Sequence, residues 1–192
     1  MENWLINLGL SFTWSKLLPY IFFSLIGFLL AWFLSKRFQN NILKGLFFIL
    51  FPAITFGIYF AINPIYEGDF SNESYLAKTD LPFPKTTTLS VISLPHCPYC
   101  LASIKEMKKM ADRGVKIQYL ILSDEKADSV RYAKQLAGKI SCHLISRKYK
   151  LLDLTRGSFP TFVLSNKDGI KKIWSNDHFG VVARDEVCSA FN

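Results

Sequence analysis

The chain has 192 residues, half of them apolar, with 23 Lys plus Arg against 15 Asp plus Glu for a net charge of +8. Its four cysteines include a single Cys-x-x-Cys pair, which leaves a zinc ribbon or knuckle short of ligands. It contains neither an internal repeat nor a low-complexity tract, and the positive charge is not accompanied by a nucleic-acid-binding motif.

Apolar residues concentrate before residue 63. Residues 1–16 scatter Trp4, Leu5, Leu8, Leu10, Phe12 and Trp14 among polar groups, the composition of an interfacial helix with its rings at headgroup level or of a disordered tail. Leu17–Leu34 is then almost uninterruptedly apolar. With a helical rise of about 1.5 Å per residue, it is long enough to span a hydrocarbon core. Gly45–Ile62 is a second such run, with Pro52 and Gly57 tolerable inside a transmembrane helix. The pair predicts a two-helix transmembrane hairpin at 17–62, because a head of about a hundred residues has no capacity to bury two such lipophilic helices. A cleaved leader is disfavoured: the first run ends in Ser35-Lys36-Arg37 without a small-residue cleavage pattern, and another span follows.

Lys36, Arg37 and Lys44 crowd the connecting loop, whereas Glu67, Asp69 and Glu73 follow the second span. By the positive-inside rule the loop is cytoplasmic, so both ends of the chain face outward. Residues 63–85, with Pro64, Gly68, Pro82 and Pro84, read as a linker.

Beyond the linker, Leu89-Ser90-Val91-Ile92-Ser93-Leu94 predicts a strand, followed by His96-Cys97-Pro98-Tyr99-Cys100 and a helix over Leu101–Ala111. A strand that hands over to a helix at Cys97 sets that sulfur at a helix N-terminus, where unpaired N–H groups favour a thiolate. Cys100, one turn on, is placed to close a disulfide. Further elements follow in order: a strand at Val115–Leu122, a helix at Ala127–Ala137, an intervening segment, a strand opened by Phe159-Pro160-Thr161, a turn at Asn166–Gly169, a strand at Ile170–Trp174 and a helix at Val182–Phe191.

Cys97-Pro98-Tyr99-Cys100 followed by Phe159-Pro160-Thr161 resembles the thioredoxin superfamily, and among its members the membrane-tethered extracytoplasmic oxidoreductases. The resemblance covers residues 86–192. It implies an α/β thioredoxin-like domain, a central mixed sheet flanked by helices, preceded here by the transmembrane hairpin. It also implies thiol–disulfide exchange, with Cys97 attacking and Cys100 resolving, a cis Pro160 against the disulfide, and Phe159 and Pro160 forming the surface that meets substrate. Partners would be proteins carrying disulfides or dithiols, a redox protein that recycles the Cys97–Cys100 pair, and the lipid around the hairpin. No organic cofactor is implied, and no nucleic acid. Many family members carry a tryptophan before the first cysteine and a buried acid six residues before it. Here those positions are His96 and Val91. His96, when protonated, is a candidate to stabilise the Cys97 thiolate, or else an exposed polar residue without that role.

Cys142 and Cys188 both fall in the soluble head. In an oxidising compartment their even number suggests a structural disulfide, which would stabilise the fold by roughly 4 kcal/mol in the chain-entropy model; two buried free thiols or a second electron relay are the other readings. His143 and His178 offer further soft-metal ligands without compact spacing, and the alternative to an enzyme is a thioredoxin-like carrier of copper or zinc. Residues 86–192 hold 17 basic and 10 acidic side chains, a cationic surface suited to anionic lipid or acidic partners.

Overall fold

A computed structural model of the chain describes residues 1–77, 81–136, 138, 140–146 and 152–191. It divides into two compact units, Met1–Glu67 and Gly68–Asn192.

The first unit is helical. A short α1 (Glu2–Asn7) ends at a turn through Gly9, whose φ of 89° lies in the left-handed region. α2 (Phe12–Ser35) and α3 (Asn41–Ile62) are each long and apolar enough to cross a membrane. Both begin ahead of their apolar runs, because capping decides where a helix starts and hydropathy does not. Ser11 Oγ accepts from Trp14 N at 3.2 Å, and Asn40 Oδ1 accepts from Ile42 N at 2.9 Å. Their outer faces are as apolar as their inner ones, with Phe33 69% and Ile49 73% exposed. That is the pattern of helices solvated by lipid.

α2 meets α3 through close approach of the two backbones. Gly27 is the contact point: a Cβ there would lie 2.6 Å from Pro52 Cα and 2.8 Å from Phe51 O. Tyr20 packs edge-on against Tyr59 at 4.8 Å between centroids and donates its hydroxyl to the carbonyl of Asn63, so the ring is buried while its polar end is satisfied.

The second unit is built on a five-stranded mixed sheet in the order β3-β2-β1-β4-β5. The strands are β1 (Thr88–Ser93), β2 (Ile117–Leu122), β3 (Ser141–Ile145), β4 (Thr161–Asn166) and β5 (Gly169–Trp174). β1, β2 and β3 run parallel; β4 is antiparallel to β1, and β5 to β4. Helices α4 (Pro98–Asp112), α5 (Lys126–Leu136) and α7 (Val181–Ser189) lie on one face, where Tyr119, Phe162 and Trp174 point. The short α6 (Leu152–Thr155) contributes Leu154 to the other face, in a core with Ile92, Leu120, Ile145, Val163 and Ile173. This is the mixed sheet flanked by helices expected from the sequence. β3 is an addition, falling in what reads as an intervening segment, because Ser-Cys-His-Leu-Ile lacks the β-branched run that marks a strand.

The stretch expected as a linker differs more. Much of it belongs to the head: Tyr75 pairs with Ile173 along the outer edge of β5 at 2.9 and 3.0 Å, and Leu81 joins the core beneath the sheet. Asn72 accepts from Trp174 Nε1 at 2.9 Å and donates to Glu186 at 2.5 Å. Burial alone would raise the Glu186 carboxyl, but bonds from Asn72 and Lys172 outweigh it and hold the group below its usual range. That contribution to stability is therefore present at neutral pH and is lost as pH falls through the carboxylate range. The backbone at Gly68 and Asp69 passes so close to Asp177 and Gly180 that neither glycine has room for a Cβ. Tyr75, Ala77, Leu81 and Phe83 recur at odd positions, a period-two pattern that the neighbouring prolines obscure.

Two substitutions check this architecture. Gly27→Leu should lower the thermal midpoint of the detergent-solubilised chain, by circular dichroism, with a cost of about 1–3 kcal/mol for overpacking. Gly57→Leu, where an added Cβ meets nothing within 4 Å, should not. Leu81, buried in the head, gives the second: Leu81→Ala should cost about 2–3 kcal/mol in a urea titration followed by tryptophan fluorescence, whereas a linker residue would cost nothing measurable.

Candidate active site

β1 is buried along its whole length and ends at Ser93. The chain then turns through Leu94, whose carbonyl accepts from Tyr132 Oη at 2.8 Å and from Cys97 N at 3.5 Å. Cys97 is the N-cap of α4, with extended backbone, and Pro98 occupies the first turn, where its missing N–H costs nothing. The cap bond is made by sulfur: Cys100 N donates to Cys97 Sγ at 3.1 Å. Cys97 and Cys100 are disulfide-bonded, their Cα atoms 5.2 Å apart. Cys97 is half-buried and Cys100 wholly buried, so Cys97 is the sulfur that another protein can reach.

Opposite the disulfide, the Phe159–Pro160 peptide is cis, and Phe159 O lies 3.8 Å from Cys97 Sγ. Phe159 is half-buried and Pro160 buried. The approach to β4 is turned by Arg156 and Gly157, both at positive φ, and Asn176 N donates to Ser158 Oγ at 3.2 Å. Register does the rest: Ile92 pairs with Thr161, which brings the start of β4 beside the end of β1.

Val91 is fully buried and pairs with Tyr119. Near Val91 and Cys100 this side of the sheet carries hydroxyls. Tyr119 Oη lies 3.0 Å from Ser103 Oγ, which in turn donates to Cys100 O at 2.8 Å. Burial raises both phenols, that of Tyr132 to about 12 and that of Tyr119 further, so both stay neutral at physiological pH. His96 is exposed, and its Nδ1 sits 2.9 Å from Arg131 Nη1 on α5. A guanidinium only donates, so Nδ1 is the acceptor in this bond. Arg131 thus brings a cation onto His96, the residue before Cys97. Sequence reasoning misses it because 35 residues separate it from His96 and only the docking of α5 joins them.

The suggested Cys142–Cys188 disulfide is corrected: both thiols are free. The strand order explains it. Cys142 lies on edge strand β3 with Sγ 3.8 Å from Ser129 O of α5, while Cys188 lies on α7, which docks by Glu186 onto Lys172 of β5 at the other edge. Burial pushes both thiols above their ordinary value; at Cys188, Arg113 opposes that shift and Asp185 adds to it. His143 lies on β3, and His178 Nδ1 is 3.2 Å from Ser71 Oγ, so neither is brought to the Cys97–Cys100 pair. Among the described residues there is no group of three or more His, Cys, Asp or Glu side chains placed to hold a metal ion.

No protein-family model and no curated protein matches the sequence. Solved structures do. A secreted Mycobacterium tuberculosis disulfide oxidoreductase homologous to E. coli DsbE aligns over 55% of this chain and 82% of its own, at 13% identity and a TM-score of 0.45. The thioredoxin domain of a thiol-disulfide oxidoreductase from Bacteroides vulgatus aligns over 67% and 100%, at 12% identity and a TM-score of 0.43. StoA from Bacillus subtilis aligns over 60% and 96%, at 18% identity and a TM-score of 0.39.

The thiol assignment predicts a labelling pattern. Protein unfolded in urea with iodoacetamide and no reductant should carry two carbamidomethyl groups, on Cys142 and Cys188, and one tryptic peptide closed by an internal Cys97–Cys100 disulfide, about 2 Da lighter than its reduced form. In the folded chain at pH 8 the same two thiols should react at least about tenfold more slowly, because burial both raises their pKa and blocks access.

Proposed function

We propose that this chain is a membrane-tethered thiol–disulfide oxidoreductase with a thioredoxin-like head, acting on exported proteins. The observation that carries the reading is the disulfide of a half-buried Cys97 and a buried Cys100, set at the N-terminus of α4 and facing the cis Phe159–Pro160 peptide. In the reducing direction, the Cys97 thiolate attacks one sulfur of a substrate disulfide and the other sulfur leaves as a thiolate. Cys100, deprotonated, then attacks Cys97 Sγ. The substrate's second sulfur departs, two electrons have passed to the substrate, and the Cys97–Cys100 disulfide remains. Run backward, the same steps oxidise a substrate dithiol.

Each part of the site has a task in this scheme. The Cys100 N–H and the α4 N-terminus favour the Cys97 thiolate once the disulfide is opened. Phe159 and Pro160 form the surface on which an extended substrate segment lies, pairing with the backbone as an added strand. The proposed organisation is an N-terminal segment at 1–16, spans at 17–34 and 45–62, and a head whose catalytic part is 86–192. Lys36 and Arg37 between the helices and Lys44 in the first turn of α3 support an outward-facing head, where a second redox protein would return the Cys97–Cys100 pair to its starting state.

The full chain in detergent should reduce a protein disulfide with dithiothreitol as electron donor, and Cys97→Ser should bring the rate down to that of dithiothreitol alone. Cys100→Ser should stop the reaction at the mixed disulfide and leave partners attached to Cys97 in cells quenched with acid. Such adducts should be reducible, absent from the double variant, and enriched in exported proteins. Unchanged turnover by Cys97→Ser would remove the assignment.

A further inference from the structure

A polypeptide joined to Cys97 by a mixed disulfide must cross the residues that flank that sulfur. On one side is the carbonyl of Phe159, 3.8 Å from Cys97 Sγ, which offers hydrogen bonding to any backbone and reads no sequence. On the other stand Tyr99, 67% exposed between the cysteines, and His96, with Arg131 bonded to it at 2.9 Å. Arg131 is exposed on α5 next to Val130, itself 53% exposed. Two other polar side chains of α5 turn inward: Asp128 is buried and accepts from Ser123 Oγ, and Tyr132 donates to Leu94 O. Next to Cys97, His96 thus carries a cation, Arg131, by a hydrogen bond, with the exposed Tyr99 and Val130 as apolar neighbours in the chain. That bond uses one of the five N–H donors of the guanidinium, and the planar fork is suited to a carboxylate.

We propose that Arg131, positioned by His96, is a specificity-determining residue that favours substrate disulfides whose attacked cysteine is flanked by acidic side chains. The inference rests on the oxidoreductase reading and names the substrate class for that site. The attraction acts as the mixed disulfide forms, since that is when the flanking residues are brought to Cys97. Because the site is exposed, it is modest and screened by salt.

The test uses the full chain in detergent micelles with dithiothreitol as reductant. Three peptides, each closed by one internal disulfide, differ only in whether the residues beside the attacked cysteine are Glu, Gln or Lys. Each initial rate is divided by the rate with dithiothreitol alone, which removes the intrinsic effect of a neighbouring charge on the sulfur. At low salt the Glu peptide should be preferred over the Lys peptide by about three- to fivefold, and the preference should fade at about 1 M salt. Arg131→Gln should bring the ratio close to one, and Arg131→Glu should reverse it. A ratio of one in the wild-type chain, or a wild-type ratio retained in Arg131→Glu, would overturn the proposal while leaving the oxidoreductase reading standing. Failure of the wild-type chain to accelerate any of the three would instead overturn that reading, and this inference with it.

Discussion

The pairing of β1 with β4 is the contact on which the site depends. β1 is buried on both faces and takes β2 as a parallel partner on one side and β4 as an antiparallel partner on the other. A central strand of this kind has its register strongly specified, because a slip of one residue would exchange Leu89 and Val91 with Ser90 and Ile92 between the two packed faces. With Ile92 fixed opposite Thr161, the chain leaving β1 and the chain entering β4 emerge side by side. Cys97 and Phe159 meet across 62 residues for that reason alone, and the cis Pro160 peptide has a place to face the sulfur.

The charge on a reactive sulfur in this site is handled from the front. On the inner side lie the apolar Val91, the Ser103 hydroxyl and two neutral phenols, with the buried Asp128 acting on Tyr132, and burial opposes ionisation of Tyr119 and Tyr132. The groups that face Cys97 Sγ from α4 are instead the N–H of Cys100 and the open first turn of the helix. On the proposed reading, recognition of the partner would draw on Arg131, held on His96 next to Cys97.

Legibility in the sequence follows how local the determining physics is. The apolar runs that become α2 and α3, the strand–turn–helix around Cys97 and the proline before β4 all depend on neighbours within about one turn or one strand, and each can be read from residues alone. β3 escapes such reading because an edge strand keeps polar and small side chains such as Ser141, Cys142 and His143, which carry little hydrophobic pattern. The suggested Cys142–Cys188 pairing fails because an even cysteine count says nothing about which edge of a sheet each thiol will occupy. Arg131 is the clearest case of information absent from the local sequence: on α5 it reads as one more solvated charge until His96 is placed beside it.

The segment from Gly68 to Phe83 shows how far composition can mislead when prolines and a glycine are taken as marks of a tether. Gly68 is required because the backbone of Asp177 occupies the space of a Cβ, and Pro82 and Pro84 suit an extended strap that carries Leu81 and Phe83 into the core under the sheet. Tyr75 hydrogen-bonds to Ile173 along the open side of β5, covering an edge that would otherwise offer unpaired N–H and C=O groups to another chain. Such cover matters for a protein proposed to handle substrates in extended conformations. On the proposed reading, in which a substrate segment pairs with the backbone at Phe159, an open β5 would be a competing edge for the same pairing, and the Tyr75–Ile173 bridge occupies part of it.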